Sequence, residues 1–112
     1  MFSNLELAIL RWFQQHYENE CLTAQLESAK FIGRDWTEVG FFVYFEVPRT
    51  LPPVNIKDFR GYWPIWGPNI QSKDVQSGGG SILWGKEGYA ECIEMYAYGD
   101  YFNEHVEDFE LL

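Results

Sequence analysis

The sequence contains few cysteines, and this scarcity excludes two classes of small protein. Cys21 and Cys92 are its only cysteines, and they lie far apart in a chain of 112 residues. This separation matches neither the ligand spacing of a zinc site nor the dense disulfide framework of a small secreted domain. Both residues are expected to be small, buried thiols in a reducing compartment. The sequence does not determine whether they lie close together in space.

Long hydrophobic runs are also absent. The N-terminal stretch MFSNLELAILRWF is interrupted by Glu6 and Arg11, and no other segment is apolar for long enough to cross a bilayer. The N-terminus is therefore typical of neither a signal peptide nor a membrane span. We expect a cytoplasmic protein that does not bind membranes.

Basic residues are missing from the C-terminal part of the chain. Residues 1–86 contain all eight Lys and Arg against nine acids, whereas residues 87–112 contain eight acids and no Lys or Arg. Most of the formal net charge of −9 is therefore C-terminal. Such a surface repels nucleic acid and would attract a basic protein, although an acidic surface can also serve solubility alone.

The segment NEHVEDFELL contains the acids that we predict to contact a partner, Glu104, Glu107 and Asp108. Glu104 and Asp108 are four residues apart and would share one face of a helix. His105 lies between them, but one histidine beside solvated carboxylates does not make a zinc site. We predict no metal and no cofactor.

The length and composition favour one α+β domain over residues 1–112. The chain is 46% hydrophobic and 19% aromatic, which is enough apolar material for a core. Ser3 and Glu6 form a capping-box pattern, and apolar residues then recur every three or four positions, which predicts a helix from about residue 4 to about residue 18. The alternation in LTAQLESAKFI, residues 22–32, predicts a half-buried strand, and residues 33–35 predict a turn.

The segment TEVGFFVYFEV, residues 37–47, predicts a strand that is apolar on both faces. Strands of this kind are usually covered on each side, yet the N-terminal helix can cover only one. The segment at 48–68 is predicted to be a long ordered loop; it contains all five prolines and the aromatics Tyr62, Trp63 and Trp66. These aromatics could bind a partner, or they could cover the second face of the sheet. Residues 69–77 predict a short further strand.

Residues 80–86 have the spacing of a phosphate-binding loop, but their chemistry does not fit one. Bulky side chains occupy 82–84, where such a loop needs small residues, and Glu87 replaces the hydroxyl that would bind Mg²⁺. The two-residue alternation that follows predicts a β-hairpin, with strands at 82–84 and 89–97 and a turn at 86–88 that places Gly88 at a positive φ. Residues 78–80 would then be a flexible entry loop.

The second strand of this hairpin places a glutamate on each of its two largely apolar faces. Either Glu91 or Glu94 is therefore expected to be partly buried, and a buried carboxylate needs a partner or acquires a raised pKa. We predict a structural ion pair between Arg34 and Glu94. The alternative is a perturbed acid at a functional site.

Two stretches, RDWTEVGFFVYFEV and GGSILWGKEGYAECIEMYAYGD, resemble a group of small, poorly characterised bacterial proteins. The resemblance covers about a third of the chain and rests on six residues, with Ile93 standing where the group more often has leucine. The six residues are Arg34, Thr37, Gly40, Gly88, Glu94 and Tyr96. The resemblance implies a small α+β domain without enzymatic activity. Some members resemble immunity proteins, which neutralise a co-encoded toxin.

Together these observations predict an N-terminal helix packed on an antiparallel sheet of about five strands. No catalytic triad or Cys-His pair is recognisable, so we predict a non-catalytic module that binds a protein, of immunity type, through its acidic C-terminal region. The alternative is a small-molecule-binding or catalytic domain, with a pocket between the sheet and loop 60–68 that contains Glu91 or Glu94. Pairing of an exposed strand edge between two copies would give a homodimer.

Overall fold

A computed structural model describes residues 1–59, 61–99 and 101–112 and shows helices packed on one face of an antiparallel sheet. The described residues form two α-helices, α1 (Asn4–His16) and α2 (Glu20–Glu27), a short 3₁₀ turn at Ile56–Asp58, and seven strands. The strands are β1 (Lys30–Trp36), β2 (Gly40–Glu46), β3 (Ile65–Trp66), β4 (Ile70–Ser72), β5 (Val75–Lys86), β6 (Tyr89–Ala97) and β7 (Glu110–Leu111). Their order is β1-β2-β6-β5-β4-β7, and β3 also pairs with β5. The predicted α+β fold is confirmed, with more strands than expected.

Helix α1 begins at the predicted capping box. The Ser3 hydroxyl accepts a hydrogen bond from the Glu6 amide at 3.2 Å, and the Glu6 carboxylate accepts one from the Ser3 amide at 2.7 Å. The helix ends at His16, because Tyr17 is already extended. Its apolar stripe is buried against the sheet and comprises Leu5, Ile9, Leu10 and Phe13.

The predicted strand at residues 22–32 is wrong over most of its length, because residues 20–27 form helix α2; only residues 30–32 are extended, as the start of β1. The Asn19 side chain caps this helix by accepting a hydrogen bond from the Leu22 amide at 2.9 Å. Leu22, Gln25 and Leu26 point to the core, and Gln25 and Leu26 follow Leu22 by three and four residues, which is the spacing of a helix face. The alternation of Leu22, Ala24 and Leu26 is equally compatible with a strand. The predicted turn at 33–35 is also wrong, since these residues belong to β1, which has a bulge at Ile32.

The β-hairpin predicted in place of the phosphate-binding loop is confirmed. Strand β6 pairs with residues 79–86 of β5, and the chain turns at Glu87 and Gly88. Two details differ. The residue with positive φ in the turn is Glu87, at 57°, rather than Gly88. Residues 78–80 are part of β5 rather than a flexible loop, and a Cβ atom at Gly80 would lie 2.5 Å from the ring of Tyr96.

The two faces of the sheet differ in what covers them. On β2, Phe41, Val43 and Phe45 point to the helices and are buried. Phe42 and Tyr44 alternate with them and point away from the helices, and they remain half-buried and exposed, respectively. We call the helix-covered side the inner face and the opposite side the outer face. The predicted double-sided apolar strand is therefore present, but only one side is covered by helices.

The predicted ion pair between Arg34 and Glu94 is wrong, because the two residues lie on opposite faces. Arg34 is opposite Val43, and Val43 is opposite Ile93, so Arg34 points to the inner face while Glu94 points to the outer one. Arg34 instead contacts Glu6, with its Nε and Nη2 atoms each 2.6 Å from a carboxylate oxygen. Glu6 is 1% exposed and Arg34 27%. The carboxylate that the inner face buries is therefore the capping residue of α1.

Gln25 connects α2 to the rest of the molecule. Its side chain is fully buried and makes three hydrogen bonds to backbone groups. The amide nitrogen donates to the carbonyls of Pro52, at 3.1 Å, and Gly88, at 2.9 Å, while the amide oxygen accepts from the N–H of Ala90 at 3.0 Å. One side chain thus joins the helix, the proline-rich segment and the β5–β6 hairpin.

Arg34→Met should lower the free energy of unfolding by about 3 kcal/mol, because it leaves the buried Glu6 carboxylate without its main partner. The double variant Glu6→Gln with Arg34→Met should recover part of this loss, since it buries no charge. Urea denaturation measures both. Arg11→Met is the control and should have little effect, because Arg11 lies on the exposed side of α1. If Arg34→Met had as small an effect as Arg11→Met, Arg34 would not be the main partner of Glu6.

Gln25→Leu should lower the free energy of unfolding by about 2–3 kcal/mol, because it leaves three buried backbone groups without partners. Amide hydrogen exchange should show the strongest loss of protection at Ala90. Gln15→Leu on the exposed side of α1 is the matched control. Unchanged protection at Ala90 would show that Gln25 does not hold the hairpin.

Candidate protein-binding surfaces

The outer face of the sheet is lined by aromatic and aliphatic side chains in register. One row of paired positions runs Trp66–Ile82–Glu94–Phe42–Asp35 across five strands. The neighbouring rows are Trp84–Cys92–Tyr44 and Gly80–Tyr96–Gly40. Cross-strand partners project to the same side of a sheet, so these side chains form one continuous surface.

This surface is open to solvent, because both helices lie on the inner face. Tyr44 is 37% exposed, Trp84 is 36% exposed and Trp66 is 52% exposed, while Phe42 and Tyr96 are half-buried by their neighbours. The Tyr96 ring lies across Gly80, whose missing side chain provides the space. Adjacent exposed aromatics of this number are unusual on a monomer surface and are typical of interaction sites.

Two carboxylates lie among these rings. Glu94 Oε1 accepts a hydrogen bond from the indole N–H of Trp84 at 2.9 Å, which fixes the orientation of that ring. Asp35 is near the hydroxyl of Tyr44; desolvation, together with the negative charge and hydrogen bonding of Asp35, raises the pKa of Tyr44. Both acids are thus held at the outer face by aromatic side chains rather than by basic residues.

Cys92 lies beneath the rings of this face. It is 7% exposed and is flanked in register by Trp84 and Tyr44. Burial, and secondarily the charges of Glu91 and Glu94, raises the pKa of its thiol to about 11. Both Cys92 and Cys21 are free thiols, so the two cysteines do not form a disulfide.

The aromatic loop does not act as a single cover for the outer face. The Trp63 ring packs over Gly85 and its indole N–H donates to the Glu87 carbonyl at 2.9 Å, so it is half-buried and adjoins the core. Trp66 belongs to β3 and extends the outer face, while Tyr62 is 59% exposed. Trp63 therefore fits the interpretation of a covering residue, whereas Trp66 fits that of a binding residue. Arg60 lies outside the described residues.

The acidic C-terminal segment is held in place without a helix. Phe102 is buried in the core, and β7 pairs with β4. The expectation that Glu104 and Asp108 share a helix face is wrong, because residues 101–109 form no regular element. Glu104, Glu107 and Asp108 are all exposed, and Lys73 lies 3.2 Å from the Asp108 carboxylate. This segment therefore presents its carboxylates to solvent, as predicted, between two anchors, Phe102 and β7.

Glu91, one of the two acids expected in a pocket between the sheet and loop 60–68, lines a cavity formed by other segments. Glu91 lines a cavity of about 620 Å³ at the end of β1 and β2, together with Lys30, Tyr44 and Arg49. The Arg49 guanidinium lies 3.7 Å from the Glu91 carboxylate, so this acid has a cationic partner. In the part of the chain that the structure describes, no three His, Cys, Asp or Glu side chains are grouped as a metal ion would need.

Sequence reasoning named neither the outer face as a surface nor Trp84 and Tyr44 as candidate residues. Two signals were available: the two-sided apolar alternation of the strands at 40–46 and 89–97, and the shortage of helix to cover both sides. The sequence also allowed the aromatics of loop 60–68 to cover the second face of the sheet, and a covered face would not be a binding surface.

Comparisons of this chain with protein-family models, curated proteins and solved structures give no match. Within the described residues, no helix has both the length and the apolar character required to cross a membrane. The function must therefore be argued from the surfaces themselves.

The Cys92 thiol should react slowly with iodoacetamide at pH 8, because its raised pKa leaves about one molecule in a thousand as thiolate. In a Cys21→Ser background, Trp84→Ala should speed alkylation about tenfold or more by removing a covering ring. Trp36→Ala, which removes a 42% exposed ring on the inner face, should leave the rate unchanged. A native rate equal to that in denaturing urea would contradict the burial of Cys92.

Proposed function

We propose that this protein is a non-catalytic module that binds a basic protein partner, and that it acts as an immunity-type inhibitor of a toxin. The observation that carries the proposal is the exposed C-terminal segment, which presents Glu104, Glu107 and Asp108 on a backbone anchored by Phe102 and β7. A cluster of like charge on a fixed frame favours a partner of opposite charge and speeds its association.

The charge of the whole chain supports the same partner. The net charge is −9, and residues 87–112 contribute eight of the acids without any Lys or Arg. Lys73 pairs with Asp108, and both side chains are mostly exposed to solvent. An exposed pair of this kind is weak, so it leaves Asp108 available to a partner.

The environments of the glutamates and of Cys92 support a binding role over a catalytic one. Glu6 and Glu94 each have an assigned hydrogen-bond donor, and Glu91 lies beside Arg49. The raised pKa of the Cys92 thiol disfavours a nucleophilic role for it. The immunity-type proposal is also supported by the resemblance of residues 34–47 and 79–100 to a group of small bacterial proteins, some of which resemble immunity proteins, and by the acidic surface that an inhibitor of a basic toxin requires.

The test is genetic and kinetic. An immunity-type protein should be encoded next to a toxin, so the product of the adjacent upstream gene should arrest growth when expressed alone, and this chain should restore growth. Replacing Glu104, Glu107 and Asp108 by Gln, Gln and Asn should slow association with that product about tenfold at low salt, because steering by charge is lost. Raising the salt concentration should reduce the difference between the variant and the wild type.

A matched control removes the same charge elsewhere. Glu18, Glu20 and Glu27 are exposed acids around α2, and their replacement by Gln should change the association rate much less than the C-terminal triple. An adjacent gene product that is harmless, or that remains toxic in the presence of this chain, would refute the immunity-type assignment. Equal effects of the two triple variants would show that net charge, rather than the C-terminal segment, attracts the partner.

A further inference from the structure

We propose that the outer face of the sheet is the docking surface for an extended, arginine-bearing segment of the basic partner. The inference rests on the proposed function for the charge of the partner, but it assigns the contact to a different surface. The inference is drawn from the cross-strand rows of the outer face, which place Trp84, Tyr44 and Phe42 around the carboxylates of Glu94 and Asp35.

The aromatic rings supply the apolar anchor. Trp84 and Tyr44 are each more than one third exposed, Trp66 is half exposed, and they lie at neighbouring register positions rather than scattered over the molecule. Tryptophan and tyrosine dominate the energetics of protein interfaces, because they offer a large contact area and lose few rotamers on binding. The Trp84 ring is already oriented by its hydrogen bond to Glu94, so docking costs it little further ordering.

The carboxylates specify a cation among those rings. Within the described residues, the three rows of paired positions carry Glu94 and Asp35 and no Lys or Arg. The cations at the edge of this face each have an acid beside them, since Lys30 is opposite Glu46 and Arg49 lies near Glu91. Among the described residues, Glu94 accepts a hydrogen bond through Oε1 from Trp84, and its Oε2 can accept one from a donor of the partner. A guanidinium can stack on an aromatic ring and donate to a carboxylate at the same time, and arginine does both better than lysine. The face therefore suits arginine side chains that alternate along an extended segment.

A second copy of this chain suits the face poorly. A symmetric dimer through this surface would place two copies of Glu94 and Asp35 in one interface, where the three rows provide no Lys or Arg to neutralise them. Each copy also carries a net charge of −9, which opposes close approach. A basic partner neutralises these charges, whereas a second copy doubles them.

The two acidic regions then have different kinetic roles. Exposed carboxylates at 104–108 act at a distance and increase the association rate, whereas buried aromatic contacts at the outer face slow dissociation. Variants of the C-terminal segment should change mainly the on-rate, and variants of the outer face should change mainly the off-rate. This difference separates the present inference from the proposed function within one set of measurements.

The experiment uses the full chain and a twelve-residue peptide of alternating Arg and Ala, with Lys-Ala and Gln-Ala peptides for comparison. NMR titration should shift the indole N–H signal of Trp84 and the backbone signals of Phe42 and Tyr96, and the Arg-Ala peptide should bind more tightly than the Lys-Ala peptide. Peptide binding should also slow alkylation of Cys92 beneath the rings. Trp84→Ala and Glu94→Gln should each lower the affinity for the Arg-Ala peptide about tenfold.

Matched controls lie away from the outer face. Trp36→Ala and Glu38→Gln remove an exposed ring and an exposed charge at the end of β1 and in the following turn, and both should leave the affinity unchanged. Glu94→Gln retains the shape of the side chain and serves if Trp84→Ala unfolds the protein. Urea denaturation establishes that each variant is folded before it is titrated.

Three outcomes would overturn the inference. Shifts confined to residues 101–112 would place the contact on the acidic segment and leave the proposed function intact. Binding of neutral cellohexaose at the Trp84 ring without binding of the Arg-Ala peptide would assign the face to a carbohydrate. A dimer that Trp84→Ala dissociates would show that a second copy occupies it. Outer-face shifts that persist in the C-terminal triple variant would support the inference, and the association rate of that variant would test the proposed function separately.

Discussion

The structure depends on one constraint: its central strands are apolar on both faces, and its helices can cover only one. Helices α1 and α2 span 13 and 8 residues and lie on the same side of the sheet. There they bury a continuous cluster in which Ile9, Phe13, Val43 and Ile93 are fully enclosed. Each such side chain contributes about 1.5–3 kcal/mol to folding, so the inner face carries most of the stability. The outer face keeps its aromatic residues in contact with water.

Two polar side chains hold the helices on the inner face. Glu6 caps α1 and also binds Arg34 of β1, so one carboxylate satisfies the helix end and ties the helix to the sheet. Gln25 does the same for α2 by binding backbone groups of the proline-rich segment and the hairpin. Because these groups are buried and hydrogen-bonded, sliding a helix along the sheet would leave them unsatisfied. The position of the helices, and therefore the exposure of the outer face, is closely specified.

Local patterns predicted the elements whose signals lie within a few residues. The capping box and stripe of α1, the strand at 40–46 and the β5–β6 hairpin are all of this kind. Helix α2 was missed, because Leu22, Ala24 and Leu26 suit a strand as readily as a short helix, and only the cap at Asn19 separates them. The partner of Arg34 was missed for a different reason. Choosing Glu6 over Glu94 requires the strand order and register, which place Arg34 and Glu94 on opposite faces.

The sequence by itself determined the class of fold, the hairpin in place of a phosphate-binding loop, and the concentration of negative charge in residues 87–112, since these follow from local spacing and composition. Only the tertiary structure decided which face of the sheet the helices cover, which acid is buried, and that Trp66, Trp84 and Tyr44 lie together on one open surface. The physical reason is that side-chain alternation along a strand defines two faces but does not determine which of them is buried. The packing of distant segments decides which face becomes the core.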